Sequence, residues 1–219
     1  MPSTWFRRGM WFRHGRLHVA AVLGVLLASA TLAIAALPKT APEPDSTSLT
    51  GQFLVAAPEI GDPRFYHAVI LMVRHNKDGA FGIIINHPVG ERSLASLMAA
   101  IGDNATGVEG SVRLFTGGPV QPWIGFVLHS PDYHRGETID IDGRVALTSS
   151  LEVLRDIGHN KGPRQRLIAF GYAGWSAGQL EGELAQGGWF TEPEDPKLVF
   201  DEDPAKVWDD AMARRSFPL

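Results

Sequence analysis

The order of apolar runs predicts an α+β fold. The expected core is a mixed, largely antiparallel sheet rolled toward a barrel, with a few flanking helices and an apolar helix ahead of it. Three observations carry this. Short apolar runs recur through the second part of the chain, most of them joined by turn-forming residues. Two of those turns, Asn76-Lys77-Asp78-Gly79 and Asp142-Gly143, have hairpin chemistry, which joins antiparallel neighbours. Helical periodicity is confined to isolated short stretches, so the pattern is not regular βαβ winding.

Residues 1–16 are basic and aromatic, and residues 17–37 form an apolar run interrupted only by His18, Ser29 and Thr31. A run of about 20 apolar residues is long enough to span a bilayer as a helix. A basic region before an apolar core, with Ala33-Ile34-Ala35 as a small-residue cleavage site, also describes a secretory signal. Arg7-Arg8 is the pair that opens a twin-arginine signal. Residues 1–37 therefore read as a signal or membrane anchor, with the arginines inside and the body on the periplasmic side of the inner membrane. The alternative is a start assigned upstream of the true one and a cytoplasmic protein. Residues 38–48 hold three prolines among small polar residues, too little apolar surface to pack, and read as a linker. The folded domain is expected over residues 49–219.

Within it, residues 52–57 read as a first strand ended by Pro58, and Gly61-Asp62-Pro63-Arg64 as a turn. Residues 65–73 read as a long second strand and residues 80–86 as its hairpin partner, ended by His87-Pro88. The continuous Ile83-Ile84-Ile85 predicts burial on both faces. Ser93 is placed to cap a short helix with Leu94, Leu97, Met98 and Ile101 as its apolar stripe. Strands are predicted over 112–115, 123–129, 138–141, 145–147 and 167–170, and Ser149-Ser150-Leu151-Glu152 as a capping box opening a helix. Asp203-Pro204 predicts a last helix that buries Val207, Trp208, Ala211 and Met212. Trp123, Trp175, Trp189 and Trp208 are expected to be core anchors.

Composition narrows the function. The chain has no cysteine, which excludes disulfides, thiolate metal sites and a cysteine nucleophile. The formal net charge is −4, but residues 1–37 hold four arginines and no acid, leaving 16 basic and 24 acidic groups elsewhere, a net of −8. An acidic body does not attract phosphate backbones at long range, so a nucleic-acid partner is not expected.

Several signatures recur together: Gly51-Gln52-Phe53-Leu54-Val55-Ala56-Ala57-Pro58 with Asp62-Pro63-Arg64-Phe65, and Gly79-Ala80-Phe81-Gly82-Ile83-Ile84-Ile85-Asn86-His87-Pro88. Gly117-Gly118-Pro119-Val120, Gly125-Phe126-Val127-Leu128-His129, Gly171-Tyr172-Ala173-Gly174-Trp175 and Gly178-Gln179-Leu180-Glu181 follow. In this combination the chain from Gly51 onward closely resembles the AlgH/YqgE family of bacterial proteins. The resemblance implies a compact α+β domain without an established enzymatic activity, usually cytosolic, and an indirect role in transcriptional regulation of exopolysaccharide synthesis. The apolar segment and linker depart from the usual family pattern.

The stretch from Gly171 to Glu183 concentrates the chemistry. It reads as a glycine-rich strand-to-helix turn, and Gly174-Trp175-Ser176-Ala177-Gly178 fits the nucleophile-elbow pattern of hydrolases. All eight histidines precede Ser176, however, which excludes the α/β-hydrolase order of triad residues. Ser176 and Gln179 instead fit a capping box, so Ser176 is first an N-cap and only secondarily a nucleophile. The glycine spacing is neither a dinucleotide fingerprint nor a P-loop. Glu181 and Glu183, two apart on a helix, do not form a facing acid pair. No histidine spacing makes a metal site, and no cofactor is implied. The favoured reading is a non-catalytic binding or regulatory domain with a protein partner or small ligand, and a hydrolase using Ser176 is the alternative. Binding candidates are Asn86, Pro88, Gly117, Gly118, Pro119, His129, Tyr172, Gly174, Trp175, Gln179 and Glu181.

Overall fold

The computed structural model describes residues 48–214 of the 219-residue chain. The expected signal or anchor over 1–37 and nearly all of the expected linker lie outside the described residues. The described residues contain β1 (Gln52–Ala56), β2 (Val69–Asn76), β3 (Gly79–Ile84), β4 (Pro88–Ser93), α1 (Leu94–Ala100), β5 (Ser111–Thr116), β6 (Val120–His129), β7 (Ile139–Asp140) and β8 (Ala146–Thr148). They continue with α2 (Leu151–Gly158), β9 (Arg166–Ser176), α3 (Gln179–Ala185), β10 (Trp189–Pro193), α4 (Pro196–Phe200) and α5 (Val207–Arg214). The main strand path is β10-β1-β2-β3-β9-β6-β8-β7, with β4 and β5 attached beside β9. Every pairing is antiparallel except β5 with β9. The α+β, largely antiparallel expectation is met.

The alternation of each strand divides its side chains between cores. Phe53, Val55, Val69, Leu71, Val73, Ile83, Phe115, Leu128, Leu147 and Leu167 share one inner cluster, closed by Leu198, Val199, Val207 and Ala211 of α4 and α5. So many strands can share one core only if the sheet curls around it. The outer face splits in two. Leu54, Ile70, Met72, Ile84 and Trp175 pack under Leu180 of α3, and Val112, Val127 and Ile168 pack under α1 and α2. Ile83 and Ile85 face the inner core and Ile84 the outer one, so the isoleucine run is buried on both faces as expected.

Several local expectations are corrected. The second strand begins at Val69, because Asp62 caps a 3-10 turn at Pro63–Phe65 and His67 takes φ 53°. Residues 88–93 form a further strand that the sequence hides, since all six are exposed. The predicted capping box before α2 is absent. Ser150 is the N-cap, it makes no side-chain cap bond, and Glu152 pairs with Arg155 instead. Helix α4, capped by Asp195 and carrying Leu198, Val199 and Phe200, is a further element beyond those predicted. Trp175 and Trp189 are core residues as expected, but Trp123 is 76% exposed. The register of β6 against β9 shifts between Val120 and Gly125, and that bulge turns Trp123 outward.

Candidate functional site

Strand β9 is the axis of the sheet, and glycine decides how it is used. Its first half lies between β5 and β6, while residues 173–176 pair with β3. The handover occurs at Gly117-Gly118, which meets Gly171 backbone to backbone. Gly117 N–H donates to the Phe170 carbonyl at 2.7 Å, and the Gly117 carbonyl accepts from Ile84 N–H at 2.9 Å. A Cβ at Gly118 would lie 2.1 Å from the Tyr172 carbonyl carbon, and one at Gly117 would lie 2.3 Å from the Gly171 oxygen. Only glycine allows this approach. Pro119, half-buried, follows at the start of β6. The strand therefore does not stop at Gly171 but runs on to Ser176, and the predicted strand-to-helix turn shrinks to Ala177-Gly178.

This continuation changes the chemistry of the corner. Tyr172 and Trp175 lie on opposite faces of β9. Tyr172 packs with Phe81 and Phe126 against the inner core, and Trp175 belongs to the outer one. Gly174 is exposed between them. Gly178, at φ 75°, is the N-cap of α3, so Ser176 does not cap the helix. One half of the expected capping box survives: Gln179 Oε1 accepts from Ser176 N–H at 3.1 Å. The Ser176 hydroxyl has no hydrogen-bond partner among the described residues, and no imidazole is bonded to it.

The polar centre of the corner is Glu183, a residue outside the binding candidates. Its Oε2 accepts from the Trp175 indole at 2.9 Å and the Trp189 indole at 2.8 Å, and its Oε1 accepts from Gln179 Nε2 at 2.9 Å. A single carboxylate thus ties β9, α3 and β10 together. The sequence signal was the four- and eight-residue spacings of Gln179 and Trp175 from Glu183. Glu181 points elsewhere. Leu49 N–H donates to His75 Nδ1 at 3.1 Å, so Nε2 carries the ring proton and meets Glu181 Oε1 at 3.0 Å. Hydrogen bonds from its own backbone N–H and from His75 hold the Glu181 carboxyl below its ordinary range.

A second group gathers at the other end of β3. Asn86 is buried, with its Oδ1 accepting from Val69 N–H at 2.9 Å and its Nδ2 donating to the His67 carbonyl at 2.8 Å. These bonds hold His67 in its left-handed conformation, which costs about 1 kcal/mol or more for a non-glycine residue. The His67 ring lies between Tyr66 and Trp208, stacked at 3.9 Å from each. His87 Nε2 lies 3.2 Å from the Tyr66 carbonyl, and burial lowers the His87 pKa, with His67 adding to the effect. Exposed Pro88 and Val89 follow, and Tyr66 is 58% exposed. The Asp62-Pro63-Arg64-Phe65 and Asn86-His87-Pro88 signatures thus converge in space.

His129 is fully buried. The Ser130 carbonyl, 2.8 Å from Nδ1, only accepts, so Nδ1 carries the proton and Nε2 accepts from the Thr148 hydroxyl at 2.9 Å. Burial lowers its pKa against the opposing pull of the Ser130 carbonyl and Asp132. Both ring nitrogens are engaged, leaving none for a metal. Among the described residues no three His, Asp or Glu side chains are grouped as metal ligands.

The ends of the strand path, β10 and β7, meet through side chains. Glu194, 3% exposed, sits just beyond β10 with the Asp142 carboxyl beside it from the β7–β8 turn. Arg144 Nη2 lies 2.6 Å from Glu194 Oε2, but no N–H is aimed at either carboxyl oxygen. Burial, then Asp142, push the Glu194 pKa up to about 8. The neutral acid supplies its own proton toward Asp142. Asp142 is raised by burial but held low overall by the backbone N–H groups of Arg144 and Val145 and by Glu194 and Arg144.

Comparison with known proteins places this architecture. The AlgH-like family (DUF179) matches residues 53–219. A UPF0301 protein of Methylococcus capsulatus is 45% identical over 170 residues, covering 78% of this chain and 93% of its own. A UPF0301 protein of Jannaschia is 45% identical over 177 residues, covering 80% of this chain and 92% of its own. The solution structure of AlgH from Pseudomonas aeruginosa is 37% identical, with a TM-score of 0.66, over 80% of this chain and 93% of that one. A crystal structure of a Corynebacterium diphtheriae protein, 23% identical with a TM-score of 0.56 over 77% of this chain and 87% of that one, shares the fold. With its glycine handover, its Asn86 strap and these relatives, the chain belongs to the AlgH-like UPF0301 family.

Proposed function

We propose that this chain is a non-catalytic binding and regulatory domain that acts through a protein partner. The observation that carries the reading is how the polar side chains of the family signatures are used. Asn86, His129, Trp175, Gln179 and Glu181 are engaged with neighbours in the fold, while Tyr66 and Val89, beside the Asn86 strap, are 58% and 63% exposed. Large apolar side chains turned to water beside a rigid, strained turn suit a docking surface more than a reaction centre. The hydrolase alternative loses support, because among the described residues no imidazole is bonded to the Ser176 hydroxyl.

The role extends to indirect control of transcription, with residues 17–37 carrying the protein to the inner membrane and the domain beyond it. The targeting part of this reading rests on the apolar run over residues 17–37, and among the described residues no helix is long and apolar enough to cross a membrane. The test uses the full chain expressed in its own host with a C-terminal tag. A partner recovered with the native protein and lost with Tyr66→Ala and Val89→Ser supports the reading. Turnover of simple esters that disappears in Ser176→Ala overturns it. Fractionation reports on targeting, and recovery of an uncleaved protein in the soluble cytosolic fraction refutes the membrane assignment.

A further inference from the structure

The strand path starts at β10 and ends at β7, and among the described residues no backbone ladder joins these two strands. Side chains at the tip of the β7–β8 hairpin close the seam. Ile141 and Val145 are buried in the inner core, which Leu198 and Val199 of α4 also fill. Asp142 stands against the start of β1, where a Cβ on Gly51 would lie 3.1 Å from the Asp142 Cβ. Glu194, just beyond β10, meets Asp142 and Arg144 from the other side. The base of the hairpin is held separately. Thr148 bonds to His129 at 2.9 Å and to Thr138 at 2.7 Å.

The charged groups that face Glu194 are Asp142 and Arg144 from the hairpin and Asp195 ahead of α4. Arg144 donates to Asp142 Oδ2 from Nε at 3.1 Å and from Nη2 at 2.9 Å, so its fork is already engaged. Asp195 accepts from Arg214 of α5 at 2.6 Å and from Lys197 N–H at 2.9 Å. An ionised Glu194 would be a buried anion beside a second carboxylate, with no aligned donor of its own. Water reaches it only if the two sides of the seam part. The hairpin has the weaker hold: β7 is two residues long and pairs only with β8, and β8 meets β6 over three residue pairs, against five between β10 and β1. We propose that this seam is a proton-operated latch: protonated Glu194 holds the hairpin tip closed on Asp142, and loss of that proton lets the tip swing about its Thr138–Thr148 base and opens the inner core at Ile141 and Val145. In the open form Glu194 returns to an ordinary carboxyl near 4.5, against about 8 in the closed one. One proton leaves per opening, so the opening equilibrium grows about tenfold per pH unit between those values and levels off above them.

The test is thiol labelling of the full chain in non-ionic detergent. The chain has no cysteine, so Val145→Cys at the tip and Val69→Cys in β2 each carry a single thiol, and both positions are fully buried. Labelling rates are divided by that of an unfolded cysteine peptide at the same pH, which removes the titration of the thiol itself. The Val145→Cys rate should rise about tenfold per pH unit from pH 6 to 8 and level off above. Val69→Cys reports unfolding of the whole domain and should be at least about tenfold slower at every pH. Adding Glu194→Gln to Val145→Cys should remove the rise. A Val145→Cys rate that does not change with pH, a rise that persists with Glu194→Gln, or equal rates at the two thiols overturns the latch. If the glutamine variant fails to fold, the contrast between the two thiols decides alone. The latch does not depend on the docking surface proposed at Tyr66 and Val89, and failure at one leaves the other standing.

Discussion

Replacing Glu194 by glutamine removes a buried acid whose folded pKa is raised far above its ordinary value. Unfolded, this carboxyl titrates near 4.5, and folded it is pushed up to about 8. Between those values the folded chain keeps a proton that the unfolded chain has lost. The Glu194 contribution to stability is therefore fully present below pH 4.5 and is lost as pH rises through 8. At 1.36 kcal/mol per pH unit, the change between pH 5.5 and 8.5 is about 3 kcal/mol. Glutamine keeps the shape, can donate to Asp142 and does not titrate. The measurement is urea unfolding of both proteins at pH 5.5, 7 and 8.5, reading the difference between them so that other titrating groups cancel. Glu194→Gln should gain about 3 kcal/mol on the native protein over that range, with most of the change above pH 6. A difference that stays within about 0.5 kcal/mol across the three pH values refutes the buried neutral acid. So does a variant that loses ground as pH rises.

Gly118→Ala places a Cβ 2.1 Å from the Tyr172 carbonyl carbon, at φ 150°, and should cost at least about 4 kcal/mol, seen as failure to fold or a collapsed urea midpoint. Glu183→Ala leaves two buried indole N–H groups and Gln179 unpaired, so it should cost about 2–3 kcal/mol and change the tryptophan emission, while Glu183→Gln keeps the shape and costs less. Ser176→Ala should change stability by less than about 0.5 kcal/mol, because its hydroxyl is not the cap; a loss near 1 kcal/mol in chemical denaturation would restore the capping role. The His129 pKa is lowered by burial, so its stabilising contribution is present above about pH 6.5 and is lost as pH falls through the folded value. Its ring proton resonances in an NMR titration should accordingly remain those of the neutral form at pH 6.5, and half-protonation there would contradict the buried network.

Which parts were legible in the sequence follows from the range of the forces involved. The β2–β3 hairpin was readable because Asn76 Oδ1 accepting from Asp78 N–H, at 2.9 Å, is a contact two residues long. Ser93 as the cap of α1 was equally local, with its Oγ accepting from Ser96 N–H at 3.1 Å. The two-sided burial of Ile83-Ile84-Ile85 was written in composition, since three adjacent isoleucines can avoid water only between two packed layers. The glycine signatures announced close backbone approach, though not which backbones meet.

The tertiary structure decided the rest. Strand β4 carries no apolar alternation because all six of its residues face water, and only pairing with β5 makes it a strand. Strand β9 runs through the glycine stretch to Ser176 because β3 supplies partners there, 91 to 97 residues earlier in the chain by the pairings Gly82 with Ala173 and Gly79 with Ser176. That lengthening moved the helix cap from Ser176 to Gly178 and placed Tyr172 and Trp175 on opposite faces. Glu183 became the polar centre of its corner only when β10 brought Trp189 beside Trp175. Glu194 reads as one more surface acid in an acidic segment, and curling the sheet buries it against Asp142. Propensity, capping and turn chemistry act over a few residues and are legible in one dimension. Burial, charge pairing and strand extension depend on which distant segments share a surface, and the closing of the sheet settled that.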